Sequence, residues 1–488
     1  MRAAHFVSAA ALGLLSFVTS ASAVSLDPRG IGQALIYPYY TVNRNQDTLV
    51  SIVNAGDTAK AVEMRFREGV NGRDVLQFVL FLSAHDVWTA SLSSIADDDG
   101  AILRTADTSC TDPVIPSAGV AFRSADYDGT GLVPADGGST SITRTREGFF
   151  EFIAVGDLVA GSPTETAITH VHDGGPSDGA PPACDQIPAN WYYTDTVAPA
   201  GMLYGSAAIV NVGQGTFFPY NADAIAGFTS AVLDPYRDGY PSGASLQDAN
   251  SDEAVDGIAT AYVTDNRGRP LALDYAFGID AVSATFMADA LFNEYIVAPT
   301  LGANTDWVVT LPTKSFYTDL RPVLPPFESA FADGSAPVAV TGTTYDREEG
   351  ATNFGTCEDL CPPAQADASL SYVVNVLTVE NSVTQALVSR VFGSTLTPFA
   401  IPPYGDDGHV VLRLDAPAHQ LPGGVDFDRQ SLTLIGLPVT GFMAYNVINT
   451  NAQPGMLANY SGLFRHRSTT HCSGDFADCL PIDSGAAP

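Results

Sequence analysis

The chain has 488 residues, of which 45% are hydrophobic, and a formal net charge of −32 at pH 7. A field of this sign repels nucleic acid and anionic lipid, so nucleic acid is excluded as an expected partner. The chain is too long for one ordinary hydrophobic core, and two to four domains are expected.

The charged residues are unevenly distributed among the four residue types. There are 42 Asp against 12 Glu, and 20 Arg against only two Lys, which are Lys60 and Lys314. Aspartate favours turns and loops because its side chain bonds the neighbouring backbone. Two interpretations follow: a high-salt or marine habitat together with many Asp-rich turns, or loops that bind Ca²⁺.

Residues 1–23 are predicted to be a signal peptide. Arg2 precedes an apolar, small-residue run over 6–18, and Ala21-Ser22-Ala23 has the form that signal peptidase cleaves. The run is too short for a permanent membrane helix, and no later stretch reaches 18 apolar residues, so no integral span is expected after cleavage. The sequence therefore predicts an exported protein, located in the periplasm, at the cell surface or outside the cell.

Five strands are predicted in the first part of the mature chain. Alternating or continuous apolar runs separated by short turns place them at 34–42, 48–54, 61–67, 75–82 and 86–92. Residues 96–148 and 156–187 are rich in Asp, Gly, Ser and Pro and are expected to be loops on either side of a strand at 149–155. This pattern predicts an N-terminal β-sandwich domain with loop insertions over residues 24–200.

A second β domain is expected over residues 201–325. It begins with a strand at 205–212 and contains the strongest helical pattern of the chain, at 281–295. Asp280 is placed to cap this helix, and Pro299 lies beyond its end. A proline-rich stretch over 322–337 then separates a C-terminal β domain at 326–488.

Together these elements predict an all-β protein. The expected architecture is two or three antiparallel β-sandwich (Ig-like) domains with long Asp/Gly-rich loops and one short helix.

Six cysteines follow residue 23, and an even number in an exported chain predicts three disulfides. They are Cys110, Cys184, Cys357, Cys361, Cys472 and Cys479. Among the 15 possible connectivities, the simplest pairs Cys357 with Cys361 and Cys472 with Cys479, and leaves Cys110 with Cys184 by elimination. A zinc site is the weaker alternative, because neither short spacing has a matched second pair.

Three acidic segments have hard oxygen ligands at alternate positions, a pattern that suits Ca²⁺. They are Asp97–Gly100, Asp126–Gly129 and Asp248–Asp256. None has the full twelve-residue EF-hand pattern, and each also fits an ordinary Asp-Gly turn. The candidate ligands are Asp126, Asp128, Asp248, Asn250 and Asp252.

No motif assigns a reaction. His170-Val171-His172 places two imidazoles on one side of an extended segment, which fits either a metal site or a solvated loop. The H-E-x-x-H, G-x-S-x-G and phosphate-binding glycine motifs are absent. Glycoside hydrolysis needs only two carboxylates, and Trp88, Trp191 and Trp307 are candidates either to stack on sugars or to fill the core.

Several segments resemble a group of uncharacterised exported bacterial proteins of the proteobacterial type. The similar segments are 36–42, 51–54, 65–71, 82–90, 305–314 and 451–455. The resemblance implies a surface or secreted bacterial protein, and it implies no activity and no catalytic residue.

The expected function is therefore that of an exported, non-catalytic cell-surface protein, structural or adhesive, with self-assembly through edge strands as one mode of action. Its expected partners are further copies of itself, cell-surface components or glycans. The alternative is a secreted carbohydrate-active hydrolase or a glycan-binding module. Calcium is the only cofactor that the sequence suggests.

Overall fold

The computed structural model of the protein describes residues 23–95, 100–172, 174, 178–239, 241–250, 258–264, 268, 270–319, 322–355, 368–381, 388–425, 431–449, 453 and 456–473. The predicted signal peptide up to Ser22 lies outside these residues, as do Asp97–Asp99, Asp252, Cys357, Cys361 and Cys479.

Fourteen strands precede residue 230. They are β1 (Ser25–Leu26), β2 (Ala34–Thr41), β3 (Asp47–Asn54), β4 (Lys60–Glu68), β5 (Asp74–Leu82), β6 (Val87–Ser94), β7 (Ala101–Arg104), β8 (Thr111–Asp112), β9 (Val120–Ala121), β10 (Glu147–Leu158), β11 (Thr196–Val197), β12 (Leu203–Asn211), β13 (Thr216–Asn221) and β14 (Asp223–Ala226).

Seventeen further strands follow among the described residues. They are β15 (Ala259–Thr264), β16 (Pro270–Tyr275), β17 (Met287–Ala288), β18 (Ala290–Ile296), β19 (Ala303–Thr310), β20 (Val338–Asp346), β21 (Ala351–Phe354), β22 (Ala368–Leu370), β23 (Val374–Thr378), β24 (Asp407–Arg413), β25 (Gln420–Val425), β26 (Ser431–Ile435), β27 (Leu437–Pro438), β28 (Thr440–Val447), β29 (Tyr460–Arg465), β30 (Arg467–Thr469) and β31 (His471–Ser473).

The α-helices of the described residues are short. They are α1 (Ala125–Asp128), α2 (Pro163–Ile168), α3 (Trp191–Thr194), α4 (Gly278–Phe286) and α5 (Lys314–Thr318).

The helix predicted at 281–295 is correct only in its first half. Helix α4 ends at Phe286, and the remainder of the segment forms β17 and β18. Strand β18 pairs with β24 on one side and β30 on the other. The Ala-rich composition favours a helix locally, but long-range pairing on both edges overrides that preference. Asp280 lies inside α4, and its carboxylate accepts a 2.7 Å hydrogen bond from the Tyr317 hydroxyl.

Every ladder among the described strands is antiparallel, which confirms the predicted all-β sandwich class. The main path of the eight-stranded sheet is β1-β14-β2-β10-β4-β5-β8, and β11 pairs with β10. A six-stranded sheet has the order β13-β12-β3-β6-β7-β9, and a four-stranded sheet has the order β23-β19-β28-β29. Strands β21-β20-β24-β18-β30 with β22 form another six-stranded sheet, and β15-β16-β25-β26-β31 form a five-stranded one.

The first hydrophobic core lies between the eight-stranded sheet and a layer made of the β3-containing and β19-containing sheets. Tyr37, Phe66 and Phe150 stack at its centre, with centroid separations of 4.3 Å and 5.1 Å to the Phe150 ring. Trp88 from β6 and Val308 from β19 belong to the same core. Residues from both ends of the chain therefore share one interior.

Two further cores use the opposite faces of sheets that already bound the first core. The second core packs Ile36, Ala61 and Ile153 of the eight-stranded sheet against α4 and the β15-containing sheet. The third core packs Trp307 and Met443 of the four-stranded sheet against β18, β20 and β24. The eight-stranded and four-stranded sheets are thus buried on both faces.

The predicted domain boundaries do not coincide with breaks between sheets. Strand β12 pairs with β3 across the boundary at residues 200 and 201. Strands β18 and β20 both pair with β24, which joins residues on either side of the boundary at 325 and 326. Residues on either side of each boundary therefore belong to shared sheets.

One buried carboxylate ties a C-terminal loop to the first core. Asp306 of β19 accepts hydrogen bonds from the backbone N–H groups of Arg390, Val391 and Phe392, at 2.8–3.0 Å. The loop inserts Phe392 between Tyr39 and Phe218, with centroid separations of 5.3 Å to each ring.

The second face of the eight-stranded sheet also buries charge. Arg65 Nη1 lies 2.7 Å from Asp74 Oδ2, and Arg67 Nη2 lies 2.8 Å from Glu151 Oε1. Glu63 accepts a 2.6 Å hydrogen bond from Gln77. Burial raises the pKa of Glu63 to about 8. Each charge of the two ion pairs needs its partner, because an unpaired buried charge is strongly destabilising.

Both lysines are buried as well. Lys60 Nζ lies 2.5 Å from Asp157 Oδ1 on the adjacent strand. Lys314 Nζ donates to the backbone oxygens of Leu370 and Tyr372, at 3.0 Å and 3.1 Å. Burial lowers the pKa of Lys314 well below its usual value.

The disulfide between Cys110 and Cys184 is present and confirms one predicted pairing. Cys472 is also disulfide-bonded. The pairing of Cys357, Cys361 and Cys479 concerns residues outside the described part of the chain and stays a prediction.

Replacing Cys110 and Cys184 together by alanine is expected to lower the free energy of unfolding. The bond closes a loop of 74 residues, for which the chain-entropy model gives about 4 kcal/mol. Urea unfolding of both proteins, followed by tryptophan fluorescence, measures the difference. An unchanged midpoint would show that this bond does not constrain the unfolded chain.

The raised pKa of Glu63 predicts a pH dependence of stability. Between pH 4.5 and about 8, folded Glu63 holds a proton that the unfolded chain has released, so stability falls as pH rises through this window. The slope has an upper limit of about 1.4 kcal/mol per pH unit. Urea unfolding across this range should give a flatter profile for Glu63→Gln. The matched control, Glu294→Gln at an exposed position, should keep the wild-type slope, and equal slopes in all three proteins would contradict the assignment.

Candidate functional sites

The carboxylates of the predicted calcium segment Asp126–Gly129 accept hydrogen bonds from, or lie near, donors of the protein itself. Asp128 accepts a 2.6 Å hydrogen bond from the Ser124 hydroxyl and two more from Thr130. These bonds, led by that of Ser124, lower the pKa of Asp128. Asp126 Oδ2 lies 3.8 Å from Arg123. The two aspartates lie in the single turn of α1, each with its own local partners.

The predicted calcium segment Asp248–Asp256 has a similar arrangement. Asp248 lies 2.5 Å from Arg237 Nη1 and accepts a 2.8 Å bond from the Ser245 backbone. Asn250 has a left-handed backbone, with φ of 53°, and its side chain donates to Thr260 O. Asp252 lies outside the described residues. Within the described ranges, no group of three or more His, Cys, Asp or Glu side chains is placed to hold a metal ion.

The predicted His170 and His172 line one cleft, with a volume of about 550 Å³. A third imidazole, that of His85, reaches the same cleft from the turn after β5. The acidic side chains in its lining are Asp86, Asp107 and Glu165. The H-x-H spacing therefore identified two of the three histidines, whereas the sequence separation hid the third.

The side chains of His170 and Asp86 in this cleft contact neighbouring groups of the protein. His170 Nδ1 lies 3.1 Å from the Ser83 hydroxyl and 3.6 Å from Asp86 Oδ2. A Ser-His-Asp relay needs its serine and its aspartate on different ring nitrogens. Here both approach the same nitrogen, so the arrangement does not form such a relay. Asp86 also accepts bonds from the Ser83 and Val87 backbone.

The three tryptophans are core residues. Trp88, Trp191 and Trp307 are each at most 1% exposed. Their proposed stacking on sugars is therefore wrong, because their strands and helix turn them into the three hydrophobic cores.

A second candidate site lies on the solvent-facing side of the six-stranded sheet that contains β3. We call it the outer face; its residues are Leu49, Ser51, Val53, Val87, Thr89, Ser91, Arg104, Thr105, Tyr204, Ser206, Ala208, Phe217, Pro219 and Asn221. The opposite side of the same strands points Val50, Ile52 and Trp88 into the first core. Side chains alternate along a strand, so the residues between these project outward.

The register of the strands arranges the outer face in rows. One row places Ser206, Ser51 and Thr89 opposite one another on β12, β3 and β6. The Ser51 and Ser206 hydroxyl oxygens are 3.0 Å apart. Thr105 lies beside this row, and its hydroxyl donates a 2.6 Å bond to Thr89 O. The result is a line of hydroxyl groups that crosses the strands.

Apolar side chains flank the hydroxyl row on both sides. Tyr204, Val53 and Val87 form the row on one side. Pro219, Ala208 and Leu49 form the row on the other side. Tyr204, Val87 and Leu49 are 44%, 48% and 43% exposed. A solvated face of an antiparallel sheet is ordinarily polar, so the exposed apolar rows make this face a candidate interaction surface.

A groove of about 460 Å³ follows the hydroxyl row and the row of Pro219, Ala208 and Leu49. None of the described residues that line it is an aspartate or a glutamate, although the chain has 54 acidic residues. Arg104 is the one charged residue among the described lining. Ala106 lines both this groove and the histidine cleft, so the two cavities adjoin.

The edge of the outer face is covered by a strand of another sheet. Ser461 Oγ of β29 accepts a 3.1 Å bond from Phe217 N and donates a 3.0 Å bond to Phe217 O. Asn459 donates to Gln214 O at 2.7 Å. These side-chain bonds occupy the backbone of β13, so the two sheets meet edge to edge as one layer.

No family model, curated protein or solved structure matches the chain. Among the described residues, no helix has both the length and the apolar character needed to cross a membrane.

The contacts of Asp248 predict how its substitution behaves with and without calcium. Asp248→Asn should lower the free energy of unfolding by about 1 kcal/mol, because it weakens a partly exposed pair with Arg237. Thermal unfolding of both proteins in EDTA and in CaCl₂ tests this. We expect the same loss in both buffers, and a loss found only in CaCl₂ would instead identify Asp248 as a calcium ligand.

Proposed function

We propose that this protein is an exported, non-catalytic adhesive protein that binds its partner through the outer face. The observation that carries the proposal is the contrast between this face and the rest of the chain. A protein with net charge −32 keeps its outer-face groove free of carboxylates among the described lining residues and surrounds it with exposed apolar side chains. Exposed apolar surfaces of this kind are typical of binding sites.

Export is supported by two features. The Cys110–Cys184 disulfide is of a kind that persists in oxidising compartments. Val24, the residue after the predicted cleavage site, is fully buried and exchanges backbone bonds with Thr260 and Tyr262. The folded chain would therefore begin immediately after the signal peptide, in the periplasm or outside the cell.

A binding function is favoured over hydrolysis because acidic residues in the histidine cleft already accept hydrogen bonds from the protein. Asp86 accepts bonds from two backbone N–H groups, and Asp107 accepts from Ser109. Carboxylates held in this way support the local fold. The secreted hydrolase therefore has no specific observation in its favour.

Inserting a charge into the outer face should abolish adhesion without affecting the fold. Leu49→Asp places a carboxylate among apolar neighbours, and we expect the affinity to fall at least about tenfold, since an apolar contact of this size contributes more than 1.4 kcal/mol. Binding of the labelled, purified protein to washed cell envelopes of the source organism measures the effect.

Leu132→Asp is the matched control, because Leu132 is fully exposed away from the outer face. It should bind like the wild type, and circular dichroism should show that both variants are folded. Equal binding by Leu49→Asp and the wild type, or no envelope binding by either, would refute the proposal.

A further inference from the structure

We infer that the outer face binds a neutral polysaccharide, whose sugar chain crosses the strands along the hydroxyl row. This inference rests on the proposed adhesive function and names its ligand class.

The first argument is the geometry of the row. Ser206, Ser51 and Thr89 occupy directly opposed positions on three adjacent strands. Adjacent strands are about 4.8 Å apart, so the backbone positions of the row recur at that interval, while the Ser51 and Ser206 hydroxyl oxygens approach each other to 3.0 Å. A sugar chain that crosses the strands would meet a continuous line of donors and acceptors. Each serine or threonine hydroxyl can donate one hydrogen bond and accept two.

The second argument is the chemistry beside the row. Tyr204 and Val87 on one side, and Leu49 and Pro219 on the other, offer apolar contact. A sugar ring has hydroxyls at its rim and C–H groups on its faces. A central polar line with apolar borders is complementary to a chain of such rings, and exposed aromatic side chains such as Tyr204 suit ligands of mixed polarity.

The third argument is charge. The net charge of −32 repels an anionic polymer. A polycation would find no carboxylate among the described residues that line the groove. A neutral polymer is the ligand that this combination leaves.

A second copy of the protein fits this face less well. Two apolar surfaces in contact would remove the hydroxyl row from water, and each hydroxyl without a new partner would oppose association. A polysaccharide supplies partners for those hydroxyls.

Affinity electrophoresis of the whole mature protein tests the inference. The gels contain laminarin or dextran as neutral probes and alginate as an anionic one. We expect at least one neutral probe to retard the wild type and alginate to leave it unretarded. Thr89→Val keeps the shape of the side chain and removes its hydroxyl, so we expect binding about fivefold weaker. Ser51→Ala should act in the same direction.

Thr341→Val is the matched control, because Thr341 lies on β20 in a different sheet. It should bind like the wild type.

Neutral probes that retard no variant would overturn the inference. Equal retardation of Thr89→Val and the wild type would overturn it too. A dimer seen by sedimentation, kept by Thr89→Val and lost in Leu49→Asp, would identify a second copy as the occupant. In each case, envelope binding sensitive to Leu49→Asp would leave the proposed adhesive function standing.

Discussion

The structure depends on two sheets that are covered on both faces. The eight-stranded sheet separates the first core from the second, and the four-stranded sheet separates the first from the third. A strand in this position has no solvated side, so any charge on it must be paired within the protein. The Arg65–Asp74 and Arg67–Glu151 pairs meet this requirement on the eight-stranded sheet. The three cores are consequently coupled, and no part of the described chain corresponds to an isolated sandwich.

The same arrangement explains where the exposed surface lies. The six-stranded sheet that contains β3 gives one side to the first core and leaves the other uncovered. Strand β29 closes its β13 edge through side-chain bonds to Phe217. The β13 edge is therefore occupied at Phe217, while the broad face carries exposed side chains such as Leu49 and Val87.

Local patterns in the sequence predicted much of the fold. The strands predicted at 48–54, 61–67 and 86–92 are present, because the alternation of apolar and polar residues that indicates them is a local pattern. The second half of the helix at 281–295 was wrong, since that segment depends on pairing between distant strands. The two domain boundaries stay predictions. The outer face could not be predicted from the sequence either. Leu49 and Thr89 follow an ordinary alternation, and only the tertiary structure decides which side of a sheet is left uncovered.

The two buried lysines have a practical consequence for the chemistry of the folded surface. Lys60 and Lys314 are the only lysines of the chain, and both are about 1% exposed. The basic groups at the surface are therefore guanidinium groups, which do not acylate under mild conditions. Amine-directed reagents should therefore leave the side chains of the folded protein unmodified, including those of the β3 sheet. Attaching the folded protein to a sensor or bead would have to use another group, such as an exposed carboxylate.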